Sequence, residues 1–129
     1  MMRRLLAILL ICALAPASAA VPLGPAVKTE IDGLMTRLEA SGCEFNRNGT
    51  WYSGTEVKAH LLRKLKYLED RGAVKSTEQF IELGASTSST SGQPYLVRCG
   101  NGTPVTSRTW LLAQLQAMRA AGAGNGAPP

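Results

Sequence analysis

The sequence predicts an α+β fold: a small disulfide-linked domain with about four helices and a small antiparallel β-sheet made of a hairpin plus one strand. Three observations point there. Apolar residues recur at helical spacing in separated stretches, and two of these open on the caps Ser53-Gly-Thr-Glu56 and Ser76-Thr-Glu-Gln79. Asn48-Gly49 stands between short runs of aromatic and β-branched residues, the strongest short-range hairpin signal. Cys43 and Cys99 form an even pair once the first twenty residues are set aside.

Those twenty residues read as a signal peptide. Met1 to Arg4 is a positive n-region, Leu5 to Leu14 an apolar h-region, and Ala15 to Ala20 supplies the small residues a signal peptidase needs, with cleavage after Ala19 or Ala20. The apolar run of about ten residues is well short of the roughly 20 that span a bilayer, so no stable membrane insertion is expected. Cys12 sits inside that run and leaves with it. Arg3 and Arg4 leave too, so of 14 basic residues 12 remain against 9 acidic ones, and the formal charge falls from +5 to +3. So mild an excess does not mark a nucleic-acid binder. The expected location is the periplasm or the exterior, where thiols oxidise. A Cys43–Cys99 bridge would close a loop of nearly sixty residues, worth roughly 4 kcal/mol in the chain-entropy model.

The exported part, a single domain over residues 27–119, divides as follows. Val27, Ile31, Leu34, Met35 and Leu38 define a first amphipathic helix over about 28–40, ended by Ser41-Gly42. The hairpin follows, from Cys43 to Tyr52. The Ser53 cap opens a helix over 55–71 with Val57, Leu61, Leu65 and Leu68 as its apolar stripe, and Gly72 ends it. A shorter helix after Ser76 carries Phe80, Ile81 and Leu83. Ser86 to Gly92 is a polar loop, Tyr95 to Cys99 a strand that extends the hairpin into a three-stranded sheet, and Asn101-Gly102 a turn. Thr106 or Ser107 caps a last helix through Trp110, Leu111, Leu115 and Met118, ending near Arg119. Residues 120–129, small and with nothing to bury, are expected to form a disordered tail.

Cys43, Phe45, Arg47-Asn-Gly49, Tyr52, His60-Leu61, Lys64-Leu65, Glu78-Gln-Phe-Ile81, Ser89-Thr-Ser-Gly92, Pro94-Tyr95, Cys99 and Trp110-Leu111 together make a pattern over about 31–119. It resembles the YfeK-like family of small periplasmic proteins. The resemblance implies export and a compact disulfide-linked domain of unassigned function, and brings with it no catalytic residue and no ligand.

No motif fixes a reaction, so candidate sites rest on residue chemistry. His60 is the only histidine. It falls at the border of its helix's apolar stripe, where it could serve as acid or base, or simply bond a neighbouring loop. A lone histidine without an acidic cluster makes a metal site improbable, and no cofactor is expected. Ser89, Ser91 and Gly92 offer hydroxyls and amides that could hold an anion with Arg98 or Arg47, unless they satisfy their own backbone. Ser91-Gly92-Gln93-Pro94-Tyr95 fits the short pattern seen in the recognition loop of periplasmic inhibitors of C-type lysozymes. Arg47, Asn48, Trp51 and Tyr52 at the hairpin could stack on sugars or anchor a partner, although one aromatic is more naturally a core residue. Lys58, Arg63, Lys64, Lys66 and Arg71 read as a solvated face.

The preferred function is a non-enzymatic binding or accessory module of the cell envelope. Its partner would be an envelope protein or polymer, met through the Ser86 to Tyr95 loop and the Arg47 to Tyr52 hairpin. The alternatives are a small hydrolase or transferase using His60 with a loop serine, and a lysozyme-inhibitor-like protein.

Overall fold

The structure is a computed structural model that describes residues 12–14 and 22–125. Apart from 12–14, the expected signal peptide lies outside the described residues, as do 126–129 of the expected tail. Among the described residues there are four helices and one four-stranded antiparallel sheet.

Helix α1 spans Pro25–Ala40 and starts three residues earlier than its apolar period indicates. Pro25 at the first helical position explains this, because its fixed φ suits a helix start and its missing N–H costs nothing there. Strands β1 (Glu44–Arg47) and β2 (Thr50–Tyr52) form the expected hairpin. Asn48 at φ 51° and Gly49 at φ 86° give the double positive-φ turn whose twist matches paired strands. Helix α2 spans Gly54–Glu69. Its cap is reciprocal: Ser53 Oγ accepts from the Glu56 amide at 3.3 Å, and the Glu56 carboxylate accepts from the Ser53 amide at 3.3 Å. Helix α3, Thr77–Gly84, opens on Ser76, whose hydroxyl accepts from the Gln79 amide.

Two features depart from the sequence reading. The sheet has a fourth strand, β4 (Val105–Thr106), paired to β3 (Leu96–Arg98) in the order β2-β1-β3-β4. Two exposed residues are too few to show an alternating pattern, so nothing in the sequence announces this strand. Helix α4 spans Ser107–Asn125, so 120–125, expected in the tail, are helical. Alanine is the best helix former, and three alanines in this segment let the helix run past its last packed turn.

The core is assembled from all these layers. Ile31, Leu34, Met35 and Leu38 of α1, Val57, Leu61 and Leu65 of α2, Phe80 and Ile81 of α3, and Leu111 and Leu115 of α4 are buried together with Phe45 and Val97 of the sheet. Phe45 and Val97 are direct cross-strand partners, and Phe45 meets the edge of Trp110 at 5.7 Å. Cys43 and Cys99 are joined in a disulfide at one end of the β1–β3 pair, as the sequence predicts. Arg119 of α4 bonds Glu30 of α1 and Glu78 of α3, and this contact holds the Glu30 carboxyl below its ordinary pKa.

Close approach of α1 and α2 depends on Gly54. A Cβ there would stand 2.8 Å from the Leu38 carbonyl oxygen and 3.1 Å from Glu39 Cα, both of them backbone. Gly54→Ala is therefore expected to force the helices apart and cost about 1–3 kcal/mol, the usual range for overpacking. Urea unfolding checks this, and an unchanged midpoint would show that the crossing yields freely.

Candidate functional site

The β1–β3 register places one half of the site. Glu44 pairs with Arg98, Phe45 with Val97 and Asn46 with Leu96. One further step sets Arg47 opposite Tyr95, on the face that carries Phe45 and Val97, because side chains alternate along a strand. Helix α2 packs against β1 and brings up the other half, His60 and Lys64, one turn apart.

Tyr95 is the hub. It is only 5% exposed, yet its hydroxyl has two partners: His60 Nε2 at 3.3 Å and Lys64 Nζ at 3.2 Å. Lys64 also donates to the Thr87 carbonyl at 3.1 Å, so the ammonium fastens α2 to the loop after α3. Because Lys64 can only donate, the Tyr95 oxygen accepts from it, and the Tyr95 O–H is free to donate to His60 Nε2. That arrangement satisfies both groups and leaves the imidazole proton on Nδ1. The Arg47 guanidinium lies 5.2 Å over the Tyr52 ring, and its Nε is buried with no hydrogen-bond partner.

Charge in this seam is one-sided. Burial, reinforced by the nearby Arg47, Lys64 and Arg63 cations, pushes the His60 pKa down to about 4, so the imidazole is neutral at pH 7. Among the described residues, ion pairs engage Lys58, Lys66, Arg98, Arg108 and Arg119, whereas Arg47, Arg63 and Lys64 enter none. The cations around His60 thus lack a carboxylate partner.

The polar loop is fixed to the hairpin tip. Asn48 Nδ2 donates to Ser88 Oγ at 3.2 Å, and Ser91 Oγ donates to Asn48 Oδ1 at 2.6 Å. Ser88 Oγ also accepts from the Thr90 and Ser91 amides, and Ser91 Oγ from the Gln93 amide. Thr87 and Pro94 form a bridge that closes the loop beneath Gly92. These serines brace the loop rather than present free hydroxyls. Ser89, which is exposed, instead borders a groove with Lys64, Tyr67, Leu68 and Leu83.

The predicted site residues consequently separate into two groups. Arg47, Tyr52, His60 and Tyr95 converge, with Ser89 and Ser91 on the adjoining loop. Trp51 and Arg98 do not join them. Trp51 and Tyr52 are neighbours on β2 and point to opposite faces, so the hairpin is not the single aromatic patch the sequence suggested. Arg98 lies 4.0 Å over the Trp51 ring and pairs with Glu44 at 2.5 Å on that other face. Tyr95, expected at an interface, is buried and acts by positioning His60 and Lys64. His60 has Tyr95 as its partner rather than a loop serine.

Lys64 is the residue that sequence reading missed, and Asn48, counted with the hairpin tip, has a bracing role that was not foreseen. Lys64 was indistinguishable from its solvated neighbours, although its position four residues after His60 on the same helix face was a usable signal. Asn48 carried an obvious turn role that hid its side-chain bonds. No group of three or more His, Cys, Asp or Glu side chains among the described residues could hold a metal ion.

The protein-family model of DUF5329, described as a family of unknown function, matches residues 25–119, from the first residue of α1 to the Arg119 anchor. No curated protein and no solved structure matches the chain.

Proposed function

The chain belongs to the DUF5329 family of unknown function, and from the geometry of the seam we propose that it is an exported, non-enzymatic binding module of the cell envelope whose recognition centre is an anion site at Arg47, His60 and Lys64. One observation carries the reading. Cations without carboxylate partners gather around a half-buried His60 and a buried Tyr95, where low dielectric strengthens attraction for an incoming negative group. Lys28, Arg37, Arg71 and Lys75 also enter no ion pair among the described residues, but what sets Arg47, Arg63 and Lys64 apart is that they surround one half-buried imidazole.

Export is supported by the Cys43–Cys99 bond, which suits an oxidising compartment, and by the leader pattern of residues 1–20. The likeness to YfeK-like periplasmic proteins points to the same place. Among the described residues no helix is long and apolar enough to cross a membrane. The hydrolase reading finds no support, since His60 bonds Tyr95 and the Ser91 hydroxyl is engaged by Asn48. The lysozyme-inhibitor reading needs Ser91 and Tyr95 displayed together, and Tyr95 is buried.

The test is titration of the disulfide-bonded protein with acetate and with inorganic phosphate at constant ionic strength, followed by NMR of the His60 ring and the Lys64 ammonium. A saturable shift of both groups is expected, and Lys64→Met should weaken it at least tenfold, in line with the loss of a charge-assisted hydrogen bond. No saturable shift with either anion would overturn the proposal.

A further inference from the structure

His60, Lys64, Tyr67 and Leu68 form a continuous stripe on α2 at spacings of three and four residues. Its character changes along the helix. The first turn belongs to the cationic seam. The next lines a groove of about 520 Å³ with Leu83 of α3, with Lys64 and Ser89 also in its wall. Tyr67 and Leu83 are 56% and 52% exposed, unusually open for apolar side chains in a domain whose other large apolar groups are mostly packed. The volume is of the order that small-molecule sites offer. Lys64 belongs to both regions, so a charged end and an apolar channel share one residue.

We propose that this groove takes the aliphatic tail of a single-chain carboxylate amphiphile, whose head is held by Lys64 and Arg47. The proposal rests on the anion-site reading and names its ligand class. Head chemistry favours a carboxylate. Of the three Lys64 N–H donors, two go to Thr87 and Tyr95, which leaves one, and Arg47 is the second cation: its Nε is buried, so its terminal nitrogens, which make no ion pair among the described residues, would meet the head. Two donor groups match the two oxygens of a carboxylate, whereas a phosphate would keep a further charged oxygen unpaired. The tail follows from length and polarity. From His60 to Leu68 the helix rises about 12 Å, room for an extended chain beyond a headgroup. Among the described residues no acidic side chain lines the groove to repel a carboxylate that enters it.

The experiment compares three probes by calorimetry and NMR on the disulfide-bonded protein: dodecanoate below its micellar concentration, dodecanol and acetate. Dodecanoate is expected to bind at least tenfold more tightly than acetate, since burial of about two methylene groups already gives that factor. It should also exceed dodecanol at least tenfold, and the uncharged Leu83→Ser should bring dodecanoate down toward the level of acetate while leaving acetate unchanged. Leu83 is exposed, so this variant is expected to fold, and Leu83→Asn provides a second, uncharged check. Equal affinity for acetate and dodecanoate would overturn the inference while the anion site stood. Equal affinity for dodecanol and dodecanoate would overturn it as well, because the head would then contribute nothing. Failure of acetate and dodecanoate alike would remove the inference and the anion site together.

Discussion

Loss of the Cys43–Cys99 bond, by reduction or by paired replacement with serine, is expected to lower the unfolding free energy by about 4 kcal/mol. The bond spans 56 residues, and closing so long a loop removes much of the freedom of the unfolded chain. A domain of this size has only about 5–15 kcal/mol in total, so roughly a quarter or more of its stability depends on this one link. The location adds a functional consequence. Cys43 precedes β1 and Cys99 follows β3, the two strands that bring Arg47 and Tyr95 together, so reduction should loosen the site before the helices melt. Urea unfolding with and without reductant measures the first effect, and the His60 ring signal reports the second. A shift below about 1 kcal/mol would mean that the unfolded chain is already compact around this pair.

Phe45→Ala is expected to cost about 3–5 kcal/mol, the range found for large aromatic truncations in cores. Phe45 is 2% exposed, pairs across strands with Val97, and meets Trp110 edge-on. Through Trp110 it joins β1 to α4, beside the contacts that β3 and β4 make with that helix. Truncation leaves a cavity between layers that cannot collapse without moving β1, and Arg47 lies two residues along the same strand face. Denaturant unfolding gives the magnitude. Because Phe45 lies two residues from Cys43, its cost should not add simply to that of reduction, and the double perturbation is expected to leave the protein unfolded. A cost under about 1 kcal/mol for Phe45→Ala would show the sheet to be held chiefly by backbone bonds.

Much of this fold was legible because local and tertiary demands agree. The Ser53 and Ser76 caps, the Asn48-Gly49 turn and the apolar stripes of α1 and α2 each encode their element within a few residues. Strand β4 was not legible, since its two residues exist only as partners for Leu96 and Val97. The end of α4 was misplaced because lack of burial was read as lack of order, whereas alanine sustains helix without burial. The site was legible in part for a similar reason. Composition flagged His60, Arg47 and Tyr95 as chemically capable, but which face each occupies depends on strand register, and that is a non-local property. Register is what separates Trp51 and Arg98 from the seam, and helix phase is what brings Lys64 into it.

The most direct measurement of the cationic seam is the titration of the His60 imidazole by NMR, in the wild type, in Lys64→Met, and in the wild type saturated with acetate. The expected midpoint is about 4 in the free protein. It should rise in Lys64→Met, which removes a repelling cation, and rise again when acetate is bound, because a negative neighbour favours the imidazolium. A midpoint near the ordinary 6.5 that responds neither to Lys64 nor to acetate would contradict the existence of an uncompensated cationic centre, and with it the anion site.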